Sequence, residues 1–529
     1  MPVPDQSRDT SRDGLRNKIE QALLSGLRPF WAFVNKTPFL ARIANRLIIN
    51  NAVLKAPCRP LALSTQAPYT TWPALTDRTW FSRYLPPAPQ DGLPPVAEVA
   101  GLFKLRPDRP PVLSGRSSLL FPSFAQWFTD GFLMTDDDRR RTRTNHQIDL
   151  SQLYGLDATV TAVLRQRSEQ PGDKGKLKSV TSGTGEWAPP LYDAAGARDP
   201  AFALVPEPTH LPDNWPAEKR AALFAFGGER ANSTAFTAAI NTLFLREHNR
   251  LCTLIERGNP AWNDERVFQT ARNINIVQLL KVVVEEYINH ISPYWMKLLA
   301  DPAPAYTARW NRQNWIPVEF NLLYRWHSLV PASAMWGGTA VDLGGLRFDN
   351  RALLRDGLVT ALAGASETKA WRMGLFNTVP MLDMVDQLSI QQGRVNQLAR
   401  YNDYRAIMQY PKVTRFEQIN GDPLVVSELR RVYGDVDQIE FFTGLFAEEL
   451  PARSAVPPLI GRMVAADAFS HALTNPLLSP HVYNEATFSA AGMDAIGKTS
   501  TLGDLLARND MVPPGTRISM EAEGYEAVA

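Results

Sequence analysis

Hydrophobic residues recur at helical spacing through most of this chain, and that periodicity limits the fold more than any other property. Helical patterns run over 118–135, 217–258, 263–300, 350–365, 383–411 and 458–475, whereas alternating strand patterns are sparse. A mainly α protein is the expectation. At 529 residues the chain is long enough for one large helical unit or two domains. A net charge of +2 gives no electrostatic argument for nucleic acid, so none is expected as a partner. Cys58 and Cys252 are the only cysteines, which excludes a disulfide framework and suits a reducing compartment.

The ends of the chain differ from its middle. Residues 1–14 read as a polar tail without the apolar core of a signal peptide, so a cytoplasmic location is expected. No stretch reaches the roughly 18 apolar residues of a spanning helix. Residues 15–55 carry Leu23, Leu24, Leu27, Phe30, Trp31, Phe33, Val34, Phe39, Leu40, Ile43, Leu47 and Ile48, punctuated by Arg28, Lys36, Arg42, Arg46 and Lys55. Pro29 and Pro38 divide this stretch into short helices. Short helices of that kind suit one leaflet of a bilayer, or else form a hairpin packed on the core. Residues 56–115 are proline-rich and read as a connecting segment laid over the surface. The main helical domain is expected over 116–512, followed by a polar tail over 513–529. Asp136–Arg141 lacks the spaced ligands and glycine of a calcium loop and reads as solvated.

The chemistry concentrates in Glu319–His327, EFNLLYRWH. If this segment is helical, Tyr324 and His327 share one face. A histidine there either packs in the core or holds a haem iron, with the phenol lying near the porphyrin edge.

Glu319–His327 and the following Ser328-Leu329-Val330-Pro331 resemble the proximal segment of the cyclooxygenases, within the animal-type haem peroxidase and fatty-acid dioxygenase superfamily. The resemblance continues in order from Phe30 to Asp510. It takes in Pro38-Phe39-Leu40, Leu85–Pro89, Phe124-Ala125-Gln126, Asn145–Gly155, Leu245–Arg250, Tyr401–Arg405 and Val432–Asp437. Each motif is weak alone; their colinear order is specific.

The resemblance implies a haem b cofactor with His327 as the iron ligand, and Tyr324 as a radical that takes a hydrogen atom from an unsaturated fatty acid before dioxygen adds. Many animal peroxidases place an asparagine behind the proximal histidine; this sequence has Ser389 there, as the cyclooxygenase branch does. On the distal side, Gln126 and Asp130 fall on one helix face, and the family's distal histidine is replaced by Asp130. Arg230, in Gly227–Asn232, matches the distal arginine of peroxidases and would favour an ionised Asp130. Tyr294 matches a tyrosine at the channel mouth, and Ser470 the serine at the channel's far end. The fatty-acid carboxylate's arginine falls near Asn51 or Ala52, neither of them basic, which leaves Arg46 or Lys55 as substitutes. His146, His248 and Asp149 lie in matching motifs and are expected to be structural. The family further implies docking on one membrane leaflet and a possible homodimer. Its animal members carry a growth-factor-like module, absent from this sequence, so a bacterial source is expected. Three functions follow: a fatty-acid dioxygenase giving a hydroperoxide or endoperoxide, a haem peroxidase acting on hydrogen peroxide and small reductants, or a non-catalytic membrane-associated haem protein.

Overall fold

Two long helices form the spine of the molecule. Thr234 opens helix α5 (Ala235–Gly258), its hydroxyl accepting from Thr237 N while Thr237 bonds back. Asn263 caps α6 (Asp264–Lys281) one-sidedly, its Oδ1 accepting from Arg266 N at 3.0 Å. The short turn at Asn259-Pro260 folds the two helices against each other. Every residue of α5 from Ala235 to Asn249 is buried, so this helix is enclosed on all sides, and its polar residues, Asn241 and Glu247 among them, are hydrogen-bonded inside the core. A wider π-helical segment, Val282–Ile288, follows α6 and points Tyr287 into the same core.

The computed structural model describes residues 14–55, 78–451 and 453–525. Residues 1–13 and 526–529, and the 56–77 portion of the proline-rich segment with Cys58, lie outside the described residues.

Around the spine sit α1 (Leu15–Gly26), α2 (Arg28–Lys36), α3 (Pro38–Leu54), α4 (Leu120–Phe132), α7 (Val318–Leu323), α8 (Arg351–Glu367), α9 (Asp383–Val395) and α10 (Pro458–Leu473), with shorter helices between them. Among the described residues the strands form three two-stranded antiparallel pairs. One is the Ser333–Trp336 and Thr339–Asp342 hairpin, turned by Gly337-Gly338 with both φ values positive. The mainly α expectation therefore holds.

Several expectations change in detail. The 217–258 pattern divides into Ala217–Arg220 and α5, with a loop through Gly227-Gly228 between them. A Cβ on Gly227 would lie 1.9 Å from Gly155 N, so backbones meet too closely there for a side chain, and one on Gly228 would strike the Gln152 side chain, 1.9 Å from Oε1. Helix 263–300 stops at Ile291, and 383–411 splits into α9 and Tyr401–Ile407. Residues 78–115 are not a surface connector: Phe81, Tyr84, Val99, Leu102 and Phe103 are buried, and Phe103 stacks on Phe442 at 5.1 Å. The prolines make the turns, and the apolar residues between them anchor the chain. The end of the chain also packs down. Met520 and Ala522 are buried, Ser118 N donates to Met520 O at 2.9 Å, and Arg116 reaches Tyr525 Oη at 2.6 Å.

Helices α1–α3 break at Pro29 and Pro38 as expected. They rest on the body through Leu24, Trp31, Val34 and Met296. Leu15, Ile19, Leu23, Leu27, Phe30, Phe33, Phe39, Ile43, Leu47 and Leu54 remain exposed. Trp31 does not join that outer face; it is buried, and its indole N–H donates to Leu23 O.

Candidate active site

Helix α4 is buried at every position except Gln126, Thr129 and Asp130. Those three fall within one turn, so a helix otherwise sealed in the core keeps a single accessible polar face. Trp127, on the opposite side, locks α4 to α5 by donating its indole N–H to Asn241 Oδ1 at 2.9 Å.

Asp130 receives Arg230 from the loop before α5, with Arg230 Nη1 3.5 Å from its Oδ1. That distance is at the limit for a hydrogen bond, so the pair is held mainly by charge. Burial pushes the Asp130 carboxyl above the usual range, while Arg230, then Arg325, pull it back. Its Oδ2 has no hydrogen-bond partner among the described residues. Arg325 lies deeper, bonded to Asn321 and to Thr135 Oγ1; burial and then Arg230 lower it to about 10. Arg139 faces Arg230 as well.

Helix α7 reaches this region from the other side. Asn321 ties it to the end of α4, its amide donating to Leu133 O at 2.8 Å and to Thr135 Oγ1 at 3.0 Å. The helix ends at Leu323, with Tyr324 as its C-cap and Trp326 out of helical geometry. Tyr324 and His327 are therefore neighbours across a helix end, not partners on one helix face. The Trp326 indole N–H turns back onto Leu323 O and closes that end.

His327 donates Nδ1–H to Asp386 Oδ1 at 2.7 Å. Asp386 projects from α9 and is 2% exposed on its side chain. This corrects the assignment of Ser389, whose hydroxyl donates to Val385 O within its own helix. Asp386 and Ser389 lie one turn apart on α9, so the sequence located the element but not the residue.

Tyr324 is buried, with its ring centroid 5.1 Å from Phe320 and 5.1 Å from Trp326. Trp326 continues the row to Phe121 at 5.3 Å and Tyr287 at 6.1 Å. The hydroxyls of Tyr324 and Tyr287 have no hydrogen-bond partner among the described residues. Burial raises the Tyr324 phenol far above its ordinary value, with Asp467 adding to the effect. The same holds for Tyr287, where the added influence is Tyr324. Tyr287, Arg325 and Asp467 carry no signal in the sequence, because their proximity arises only when α7, the π segment and α10 fold together.

The other candidates lie further out. Tyr294 packs beneath α1–α3, beside Trp295, whose indole N–H donates to Ser25 O at 2.7 Å. Ser470 is buried on α10, its hydroxyl donating to Asp467 O. Lys55 is bonded to Glu20, and Arg46 donates to Thr307 Oγ1 at 3.2 Å. His248 bonds Tyr154 Oη and Gly175 O, and His146 Nδ1 accepts from Ile316 N, so both act as internal struts.

The animal haem peroxidase family's sequence profile matches residues 135–514. The chain belongs to the animal haem peroxidase family. Within it the chain is cyclooxygenase-like. It is 29% identical over 514 residues to prostaglandin G/H synthase 2 of Bos taurus, covering 94% of this chain and 82% of that protein. It is 29% identical over 500 residues to prostaglandin G/H synthase 1 of Rattus norvegicus, covering 92% and 79%. In shape it resembles Oryza sativa fatty acid alpha-dioxygenase, with a TM-score of 0.68 at 16% identity over 94% and 96% of the two chains. Peroxidase A from Dictyostelium discoideum gives 0.67 at 18% identity over 84% and 96%. At such identities the shape comparisons speak for the fold.

Family membership brings haem as the cofactor, and the residues present fit it. His327 has one nitrogen committed to Asp386, which leaves Nε2 as the donor for iron. The accessible face of α4 presents Gln126 and Asp130, and the cations Arg139, Arg230 and Arg325 suit a group bearing two carboxylates.

Proposed function

We propose that this protein is a haem-dependent dioxygenase that adds molecular oxygen to an unsaturated fatty acid, with Tyr324 as the residue that takes the substrate hydrogen. The observation that carries the reading is the setting of Tyr324: a buried phenol in a row of aromatic rings, three residues before the imidazole suited to iron. Haem, when bound, supplies the oxidising power that converts this phenol to a radical.

Burial holds Tyr324 in its neutral form, so it gives up a hydrogen atom instead of ionising. The phenoxyl then takes one hydrogen atom from a bis-allylic carbon and becomes phenol again. Dioxygen joins the carbon radical, and the resulting peroxyl recovers a hydrogen atom from Tyr324 to give a hydroperoxide, or closes to an endoperoxide first. The prostaglandin G/H synthase relatives support a lipid substrate, as does an Oryza sativa alpha-dioxygenase variant solved with palmitic acid. Oxygen uptake by the haem-loaded protein given linoleate is the test. Uptake that persists undiminished in Tyr324→Phe sinks the reading.

The exposed apolar side chains of α1–α3 support docking on one leaflet, since no helix of the described residues is long and apolar enough to cross a membrane. A second reading, peroxidase turnover with hydrogen peroxide, draws on the Asp130–Arg230 pair at the accessible face of α4. Guaiacol oxidation without lipid-dependent oxygen uptake would favour it.

A further inference from the structure

We infer that Asp386 is the positioning residue that makes the axial imidazole of His327 electron-rich, and that this chain thereby tunes its iron from the proximal side. The inference rests on the haem reading above.

The hydrogen bond from His327 Nδ1–H to Asp386 Oδ1 is 2.7 Å long, in the range of a charge-assisted bond to a carboxylate. It is shielded, because Asp386 is 2% exposed on its side chain. Its second oxygen, Oδ2, has no hydrogen-bond partner among the described residues, so no other donor competes for the carboxylate's charge. Lys104 pairs instead with Asp383, one turn earlier on α9. A hydrogen bond in such surroundings is electrostatically stronger than one in water.

The pair has two consequences. It fixes the tautomer and the ring direction, so that Nε2 is the nitrogen offered to iron. It also moves electron density towards Nε2, which favours the ferric over the ferrous state, as anionic axial ligands do. The resemblance sets Asp130 at the position of the family's distal histidine. With haem bound, an electron-rich His327 would favour oxygen–oxygen bond cleavage and so offset a weaker base at Asp130.

The test uses the haem-loaded full chain, with the wild type, Asp386→Asn, Asp386→Glu and Ser389→Ala compared at one pH. Asp386→Asn should raise the ferric/ferrous reduction potential, lower the ferrous iron–histidine stretching frequency and weaken haem binding about 10- to 100-fold. Asp386→Glu should restore part of both spectroscopic values, and Ser389→Ala should leave them at wild type. If Asp386→Asn binds haem through His327 with an unchanged potential and stretching frequency, the inference is overturned and the haem reading stands. If the wild type shows no Soret band that His327→Ala abolishes, both are overturned. Should the asparagine variant fail to fold, Asp386→Ala takes its place, and an Asp386→Ala protein with the wild-type potential and stretching frequency overturns the inference by itself.

Discussion

The two faces of the proposed haem site are built differently. The proximal face is tight: His327 is bonded to a shielded carboxylate at 2.7 Å, and Tyr324 is buried among rings about 5 Å away. The distal face is loose: Arg230 and Asp130 meet at 3.5 Å, the Arg230 side chain is 31% exposed, and Asp130 carries an orphaned oxygen. Tyr324, the residue proposed to carry the radical, belongs to the tight face. The loose face, where peroxide would be handled on this reading, is built around an aspartate. The family match covers residues 135–514, which takes in Tyr324 and His327 and leaves Asp130 outside. On the proposed reading, hydrogen abstraction and peroxide handling depend on differently built faces, so each can be tested without the other.

The comparison breaks first if the proximal face is expendable. His327→Ala should remove the axial ligand and abolish the Soret absorption of the reconstituted protein, with apoprotein melting unchanged; a wild-type spectrum would remove the foundation of the account. Next in size, Asp130→His should raise peroxide-dependent guaiacol oxidation about 100-fold, the lower end of what a positioned base contributes. No gain would mean that the distal face is limited by something other than its base.

The pH dependence sharpens the contrast further. Burial raises the Asp130 pKa, and Arg230 opposes the rise. As a base, Asp130 works only when ionised, so peroxide turnover should fall as the pH drops through its raised pKa. Arg230→Leu removes the opposing cation and should move that acid limb of kcat/KM to higher pH. The stability sign runs the other way. A carboxyl whose folded pKa lies above its unfolded value binds protons more tightly when folded. Its contribution therefore favours folding at low pH and is lost as the pH rises through the folded pKa. An acid limb unmoved by Arg230→Leu would show that the pair is only structural.

The smallest effects are expected at the membrane face. Replacing Phe30, Phe33 and Phe39 together by Ser should weaken co-sedimentation with lipid vesicles while oxygen uptake from detergent-dispersed substrate continues. Each ring carries up to roughly 1.5–3 kcal/mol of apolar transfer energy. Trp31→Ser instead removes an internal contact and should lower the melting temperature, since that side chain is buried.

Helix periodicity made the helical architecture legible in the sequence, and the motif order made the family legible. Individual contacts were not. Ser389 was chosen by register with an asparagine, whereas the carboxylate that reaches His327 sits one turn earlier on the same helix. A search of that helix face for an acid would have found it. The break after Leu323 is invisible in EFNLLYRWH, because nothing in the segment resembles a helix stop. It arises where Trp326 folds back onto Leu323 and His327 turns towards α9. Residues 78–115 read as a surface segment because prolines dominate their composition, while burial is decided by the few aromatics between them.

Freeze-quench electron paramagnetic resonance of the haem-loaded protein after a peroxide pulse tests the central claim most directly. The account predicts a tyrosyl signal in the wild type that linoleate converts to a carbon-centred radical, and that the conversion is lost in Tyr324→Phe. A carbon-centred lipid radical that forms equally well in Tyr324→Phe would contradict it.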